Sequence, residues 1–201
     1  MTTNLVSKYT EFESKYRVEP HLLTEFKSII GQISELKKFL YIEGADEYWL
    51  KEDQFIRYRK PAFGLDNNRS ELTMKTKPDG AKNNIKRREI NWRIDETPSE
   101  TVREGLKDLG FVFNFSIYKI CHIYNFNDAT VVFYTVYDTT NGKPTKTDSF
   151  CEIEVSEDNI HNLTEEQAWD VIFKYEKILE PIGINAQKRM KKSLFELYVR
   201  D

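Results

Sequence analysis

The chain has 201 residues, 39% hydrophobic and 31% charged, enough to bury one sizeable core and too apolar for a disordered chain. No apolar run reaches the roughly 20 residues that span a bilayer, and Met1-Thr2-Thr3-Asn4 lacks a secretory apolar segment, so a cytoplasmic protein is expected. A net charge of -3 excludes a general nucleic-acid binder but not a local basic site; Cys121 and Cys151 read as free thiols, and the three scattered histidines make no zinc cluster.

In chain order, Glu11 to Val18 reads as a strand. Successive strand side chains take opposite faces, so Glu11, Glu13, Lys15 and Arg17 share one face and Phe12, Tyr16 and Val18 the other. Glu19-Pro20 starts a helix expected to reach about Lys38, with Leu22, Phe26, Ile29, Ile30, Ile33 and Leu36 at helical spacing. Residues 39–50 favour a strand, with a bend expected at Gly44-Ala45-Asp46. In the strand 54–60, Phe55, Arg57 and Arg59 alternate with Ile56 and Tyr58.

A polar loop through Asp66-Asn67-Asn68 leads to a strand over 71–77 that puts Thr73, Lys75 and Lys77 on one face, then to the turn Lys77-Pro78-Asp79-Gly80. Residues 85–95 alternate Arg87, Glu89, Asn91 and Arg93 with Ile90, Trp92 and Ile94. Thr97-Pro98-Ser99-Glu100 opens a helix that ends at Gly110. Strands over 111–125 and 130–138 flank a turn at Asn127-Asp128, and Asn141-Gly142 signals a hairpin before the strand 150–155, which carries Glu152 and Glu154. Thr164 and Gln167 form a capping box for a helix to Leu179, and a last helix over about 185–198 carries the basic run Lys188 to Lys192. With no repeat or linker, residues 1–201 read as one domain.

Several of these strands pair an apolar face with an ionisable one. Acids come from Glu11, Glu13, Glu89, Asp138, Glu152 and Glu154, and bases from Lys15, Arg17, Arg57, Arg59, Lys75, Lys77, Arg87 and Arg93. One such strand alone reads more readily as a solvated sheet face. Repetition in five strands favours a closed antiparallel barrel with a polar lumen and helices outside, an α+β, mainly antiparallel β fold. Clustered carboxylates need hard cations such as Mg²⁺ or Mn²⁺, and clustered guanidinium and ammonium groups need an anion such as phosphate. A lumen holding both suits a metal-bound polyphosphate.

The residues also resemble the triphosphate tunnel metalloenzymes, the CYTH superfamily. Glu11-x-Glu13-x-Lys15 matches that family's N-terminal signature, and Phe55-Ile56-Arg57-Tyr58-Arg59 is similar to its Arg-x-Arg strand. Leu72-Thr73-Met74-Lys75, Arg88-Glu89-Ile90, Tyr137-Asp138, Phe150-Cys151-Glu152-Ile153-Glu154 and Lys192-Ser193-Leu194-Phe195-Glu196-Leu197 resemble its later motifs, in order. The resemblance implies an eight-stranded antiparallel tunnel, a divalent metal and a triphosphate substrate. It implies Glu11, Glu13, Glu152 and Glu154 as metal ligands, with Asp138 as a further ligand and Glu89 and Asp138 as helpers in catalysis beside Glu11, Glu13 and Lys15. Lys15, Arg57, Arg59 and Lys75 would hold phosphates, with Arg17, Lys77, Arg87, Arg93, Lys119 and Lys192 as further substrate contacts.

The sixth strand departs from the family pattern: Lys119-Ile120-Cys121-His122 keeps the Lys but lacks the Arg, with His122 or Arg93 as stand-ins. The basic residues 188–192 are placed at one tunnel mouth. The expected activity is a metal-dependent triphosphatase acting on a triphosphate-bearing small molecule such as ATP, or on 5′-triphosphate RNA, in a monomer or homodimer. The alternatives are a class IV adenylyl cyclase and a non-catalytic nucleotide or polyphosphate binder.

Overall fold

The computed structural model describes residues 6–61, 70–76, 86–94, 97–156 and 162–200, with backbone alone at 7–10, 61, 76, 86–88 and 146–147. Eight strands form among the described residues: β1 (Val6–Val18), β2 (Lys38–Lys51), β3 (Gln54–Pro61) and β4 (Glu71–Thr76), then β5 (Lys86–Arg93), β6 (Val112–Asn125), β7 (Ala129–Asp138) and β8 (Thr145–Val155). All pairings are antiparallel, and the neighbour order β1-β5-β4-β3-β2-β6-β7-β8 returns to β1, closing a barrel. Closure is staggered. The first half of β1, to Phe12, pairs with β5, and the second half, from Glu13, pairs with β8.

Among the described residues the α-helices are α1 (Leu23–Ile30), α2 (Ser99–Asp108), α3 (Glu165–Leu179) and the single-turn α4 (Leu194–Tyr198). α1 and α3 cover the outer face of β1, β6, β7 and β8, where Phe12, Tyr16, Phe133 and Ile153 pack with Phe26, Ile172 and Tyr175. α2 sets Val102 and Leu106 on Trp49, Ile56 and Tyr58. A third apolar cluster lies inside the barrel: Tyr48, Phe115, Ile117, Tyr134, Val136 and Phe150, closed by Leu194 of α4. One end of the lumen is therefore filled, and the other is left to charged groups. No helix among the described residues is long and apolar enough to cross a membrane.

Three expectations are corrected. β2 does not bend at Gly44-Ala45-Asp46, because these residues are hydrogen-bonded into β3 on one side and β6 on the other. The helix after β1 is a 3-10 turn at Pro20–Leu22 followed by α1, which stops at Gly31; Ile33 and Leu36 still reach the core from turns. The final helix is split into a 3-10 turn (Ala186–Lys188) and α4. Between them Arg189 bridges to Tyr16 of β1, and the Met190 amide donates to the Lys15 carbonyl at 2.8 Å, which a continuous helix would forbid. The Asn141-Gly142 turn forms within a loop that runs from Asp138 to Thr145, and Gly142 supplies its positive φ of 77°. The Asp66-Asn67-Asn68 loop and the Lys77-Pro78-Asp79-Gly80 turn lie outside the described residues.

The C-terminal segment is fastened to α3 and β1 by an ion pair whose acid, Glu176, is buried and whose Arg189 is partly exposed. Arg189 donates to both oxygens of Glu176 at 2.6 and 2.5 Å, Tyr16 donates to the same carboxylate at 2.6 Å, and the guanidinium lies over the Trp169 and Phe173 rings. Removing one partner of a buried pair strands the other charge at a cost of roughly 3 kcal/mol. Glu176→Gln is expected to lower Tm by about 10 °C, measurable by differential scanning calorimetry.

Candidate functional site

Period-two alternation carries one face of each strand into the lumen. Tyr48 of β2 and Phe55 of β3, with Ser193, Leu194 and Phe195, form an apolar wall of a cavity of about 350 Å³. The remainder of the lining is charged or polar.

The acidic wall comes from β1 and β8. Their register sets Glu13 opposite Glu154 and Lys15 opposite Glu152, so Glu11, Glu13, Glu152 and Glu154 converge from two adjacent strands. Lys15 Nζ lies 2.7 Å from Glu152 and 3.9 Å from Glu13. Tyr134 donates to Glu152 at 2.8 Å. Burial works against the charge of Glu152, yet Lys15 and Tyr134 hold its pKa down to about 2. Glu154 goes the other way. Burial raises its pKa well above the ordinary carboxylate range, and Glu11 and Glu13 push it further up by repulsion.

The basic wall is built from β3, β4 and β6. Arg57 donates to Thr73 Oγ1 at 2.9 Å and lies 3.7 Å from Glu71 and 3.8 Å from Glu89; its buried Nε has no hydrogen-bond partner among the described residues. Lys75 donates to both oxygens of Glu11 at 2.8 Å and lies 2.7 Å from Glu89. Burial would lower the pKa of Lys75, but Glu11 and Glu89 raise it, so it stays charged. Arg59 makes a two-pronged contact to Asp46, at 2.8 and 3.1 Å, and Lys119 Nζ lies 2.7 Å from the same carboxylate.

The structure thus brings together in one lumen Glu11, Glu13, Lys15, Arg57, Arg59, Lys75, Glu89, Lys119, Glu152 and Glu154. It places others elsewhere. Asp138 keeps the inward parity of Val136 on β7 but lies at the filled end of the barrel, opposite Ile117, where it binds Arg200 at 2.6 Å and accepts from the Thr140 amide at 2.8 Å. Arg17 has the inward parity but lies past the filled end of the barrel, exposed and paired with Asp148 at 3.0 Å. Lys192 is exposed, and Arg93, at the end of β5 opposite Glu71, is half-buried and off the cavity lining. His122 faces outward against Phe39 and Tyr41, so it does not stand in for the missing Arg. Lys77 lies outside the described residues, and of Arg87 only the backbone is described, in register with Glu11. Unforeseen lumenal groups are Tyr48, Glu71 and Ser193 to Phe195, as well as Thr73 and Asn91, which share charged faces without being singled out; Asp46 lies behind the lining.

The acidic wall has the donor chemistry of a site for a hard divalent cation: all-oxygen ligands, among them a carboxyl whose charge is disfavoured by burial and by Glu11 and Glu13. In the conformers seen, Glu11 and Glu152 turn to Lys75 and Lys15, and no three carboxylates among the described residues are grouped around one point. A divalent ion would take these carboxylates over from the lysines. Because Glu154 binds its proton more tightly folded than unfolded, its contribution to stability falls as pH rises from the ordinary carboxylate range towards its raised value. Glu154→Gln is expected to stabilise the metal-free protein at pH 8 by about 1 kcal/mol, roughly 3 °C in Tm. If a divalent ion binds this wall, the change should also shrink its stabilising effect; thermal unfolding in EDTA and in Mg²⁺ checks both.

No protein-family model and no curated protein matches the sequence. Among solved structures, a conserved hypothetical protein of Pyrococcus furiosus is similar, with a TM-score of 0.68 and 23% identity over 95% of this chain and 99% of that one. A Bacillus halodurans protein named as a candidate adenylate cyclase is similar with a TM-score of 0.60 and 14% identity, over 95% of this chain and 98% of that one. A chain in the structure of the Schizosaccharomyces pombe Mediator head module is also similar, with a TM-score of 0.64 and 13% identity, over 86% of this chain and 95% of that one. Barrels of this kind therefore occur in proteins of different description, and any activity has to be argued from the lumen.

Proposed function

From a chain that has the tunnel fold of the triphosphate tunnel metalloenzymes, we propose a divalent-metal-dependent triphosphatase that hydrolyses a phosphoanhydride inside the barrel. The observation that carries this reading is the facing of an acidic wall and a basic wall across a single cavity of about 350 Å³. Arg57, Arg59, Lys75 and Lys119 would take the phosphate oxygens, with the planar guanidinium groups matching them in forked pairs. Glu11, Glu13, Glu152 and Glu154 would hold Mg²⁺ or Mn²⁺. When bound, such an ion neutralises phosphate charge and acidifies a water. The side chains do the rest by position: the cations hold the triphosphate extended, and Lys15, between the walls, reaches toward both. No covalent nucleophile is required, because phosphoryl transfer rests on alignment and charge stabilisation.

One observation favours a second reading, an adenylyl cyclase. Tyr48, Phe55 and Phe195 put aromatic surface in the same cavity, and Phe55 and Phe195 stack with centroids 4.2 Å apart, an apolar neighbour for an organic group such as a nucleobase. In that reaction the ribose 3′-hydroxyl replaces water as the attacking group. Incubation with ATP and Mn²⁺ followed by chromatography separates the two: ADP and phosphate for the triphosphatase, cyclic AMP and pyrophosphate for the cyclase. A screen of tripolyphosphate, thiamine triphosphate, ATP and 5′-triphosphate RNA with Mg²⁺ and Mn²⁺ identifies the substrate. Tight binding without turnover of any of them would overturn the enzymatic reading in favour of a binder.

A further inference from the structure

Asp46 stands behind the cavity rather than on its surface. It belongs to β2 and has 0% exposure, yet two cavity-lining cations end on it. Arg59 donates to Oδ1 from Nε at 2.8 Å and to Oδ2 from Nη2 at 3.1 Å, and Lys119 Nζ reaches Oδ2 at 2.7 Å. Lys15 and Lys75 each rest on carboxylates that themselves line the lumen, Glu152 for the first and Glu11 and Glu89 for the second. At Asp46 the ratio is reversed, with one sealed carboxylate between two cations from strands on either side of β2.

We infer that Asp46 is the internal counter-ion of the anion site, a positioning residue that aims Arg59 and Lys119 into the lumen and restrains them until a triphosphate shares the load. The inference rests on the lumenal triphosphate reading and deepens it. Two cations held 3 Å from one buried carboxylate cannot separate without stranding it, so both head groups stay on the same side of the cavity when no anion is bound. One negative charge cannot neutralise two positive ones, so the pair keeps a net attraction for an incoming anion. Glu89 is also shared by two lumen-facing bases, Lys75 and Arg57, but it lines the cavity itself, whereas Asp46 is sealed behind it.

The test compares tripolyphosphate-induced stabilisation, in EDTA, for the wild type, Asp46→Asn and Glu176→Gln. Asp46→Asn keeps the shape of the acid and removes its charge, so Arg59 and Lys119 repel until an anion arrives. Its Tm without anion is expected about 10 °C below the wild type. Its rise on adding tripolyphosphate should exceed the wild-type rise by at least about 5 °C, with Kd by calorimetry at least about fivefold tighter. Glu176→Gln breaks a buried ion pair outside the barrel and should show the wild-type rise from a lowered baseline, so general destabilisation does not mimic the effect. If Asp46→Asn does not fold alone, tripolyphosphate or the added change Lys119→Met should restore folding; failure of both overturns the inference. An equal rise in wild type and Asp46→Asn overturns the role of Asp46 and leaves the anion site standing. A wild type whose Tm does not move with tripolyphosphate overturns the anion site and the proposed function together.

Discussion

Phosphate release from tripolyphosphate in Mg²⁺ is expected to fall at least about a thousandfold in Glu11→Gln/Glu13→Gln, with Tm within about 5 °C of the wild type. The argument for lost activity is the donor set. Two of the four carboxylates on the β1–β8 wall become amides, which bind a hard cation far more weakly. The argument for a retained fold is that neither change strands a cation. Lys75 keeps Glu89 at 2.7 Å when Glu11 is lost, and Lys15 keeps Glu152 at 2.7 Å when Glu13 is lost. The amides also relieve repulsion on Glu154, which offsets part of any loss. Steady-state release measured against Mg²⁺ concentration, with circular dichroism alongside, decides the matter. Full activity in the double variant would sink the mechanism.

Arg57→Ala is expected to lower kcat/KM by a factor of about 10² to 10³, and Arg57→Lys to recover only part of it. Arg57 sits largely covered in the lumen wall between Glu71, Thr73 and Glu89, and its buried Nε has no partner among the described residues. A buried donor left unpaired is costly, so a phosphate oxygen that accepts from it gains more than an exposed contact would. Lysine restores the charge but not the fork. Stability should change little, because Glu89 retains Lys75 and Glu71 is partly exposed. Kinetics on both variants give the result; an Arg57→Ala enzyme with wild-type kcat/KM would remove Arg57 from the substrate site.

Much of the lumen was legible because strand parity is a strict rule. Glu11, Glu13 and Lys15, Arg57 and Arg59, and Glu152 and Glu154 were each assigned to one face, and each set lies together in the cavity. Parity does not say how far along the lumen a residue lies: Asp138 keeps the inward parity of Val136 but sits at the filled end, opposite Ile117 and bound to Arg200. Asp46 was hidden by reading Gly44-Ala45-Asp46 as a bend. Glycine there does not mark a turn but a strand position where an added Cβ would come within 3.4 Å of the Lys60 carbonyl oxygen. Alternation of Asp46 with Tyr48 is the signal in the sequence, and the turn-like composition of Gly44-Ala45-Asp46 masks it. The C-terminal plug was missed for a different reason. Helical spacing cannot show that Arg189 and Met190 are claimed by β1, and it is that pairing which breaks the expected helix and turns Leu194 and Phe195 into the barrel.

The split pairing of β1 has a consequence for how the protein comes into being. Its carboxylates sit at the beginning of the chain, and their partners Glu152 and Glu154 sit on the last strand. Strands β2 to β4 and β6 to β8 can zip up through neighbours in sequence, but the ring closes only when β1 finds β5 with one half and β8 with the other. Long-range pairings of this kind come late, because the loop they close is large. The acidic wall therefore does not exist on a growing or half-folded chain. A nascent chain emerging from the ribosome has no closed lumen until its last strand docks, so the two charged walls meet only once assembly is complete.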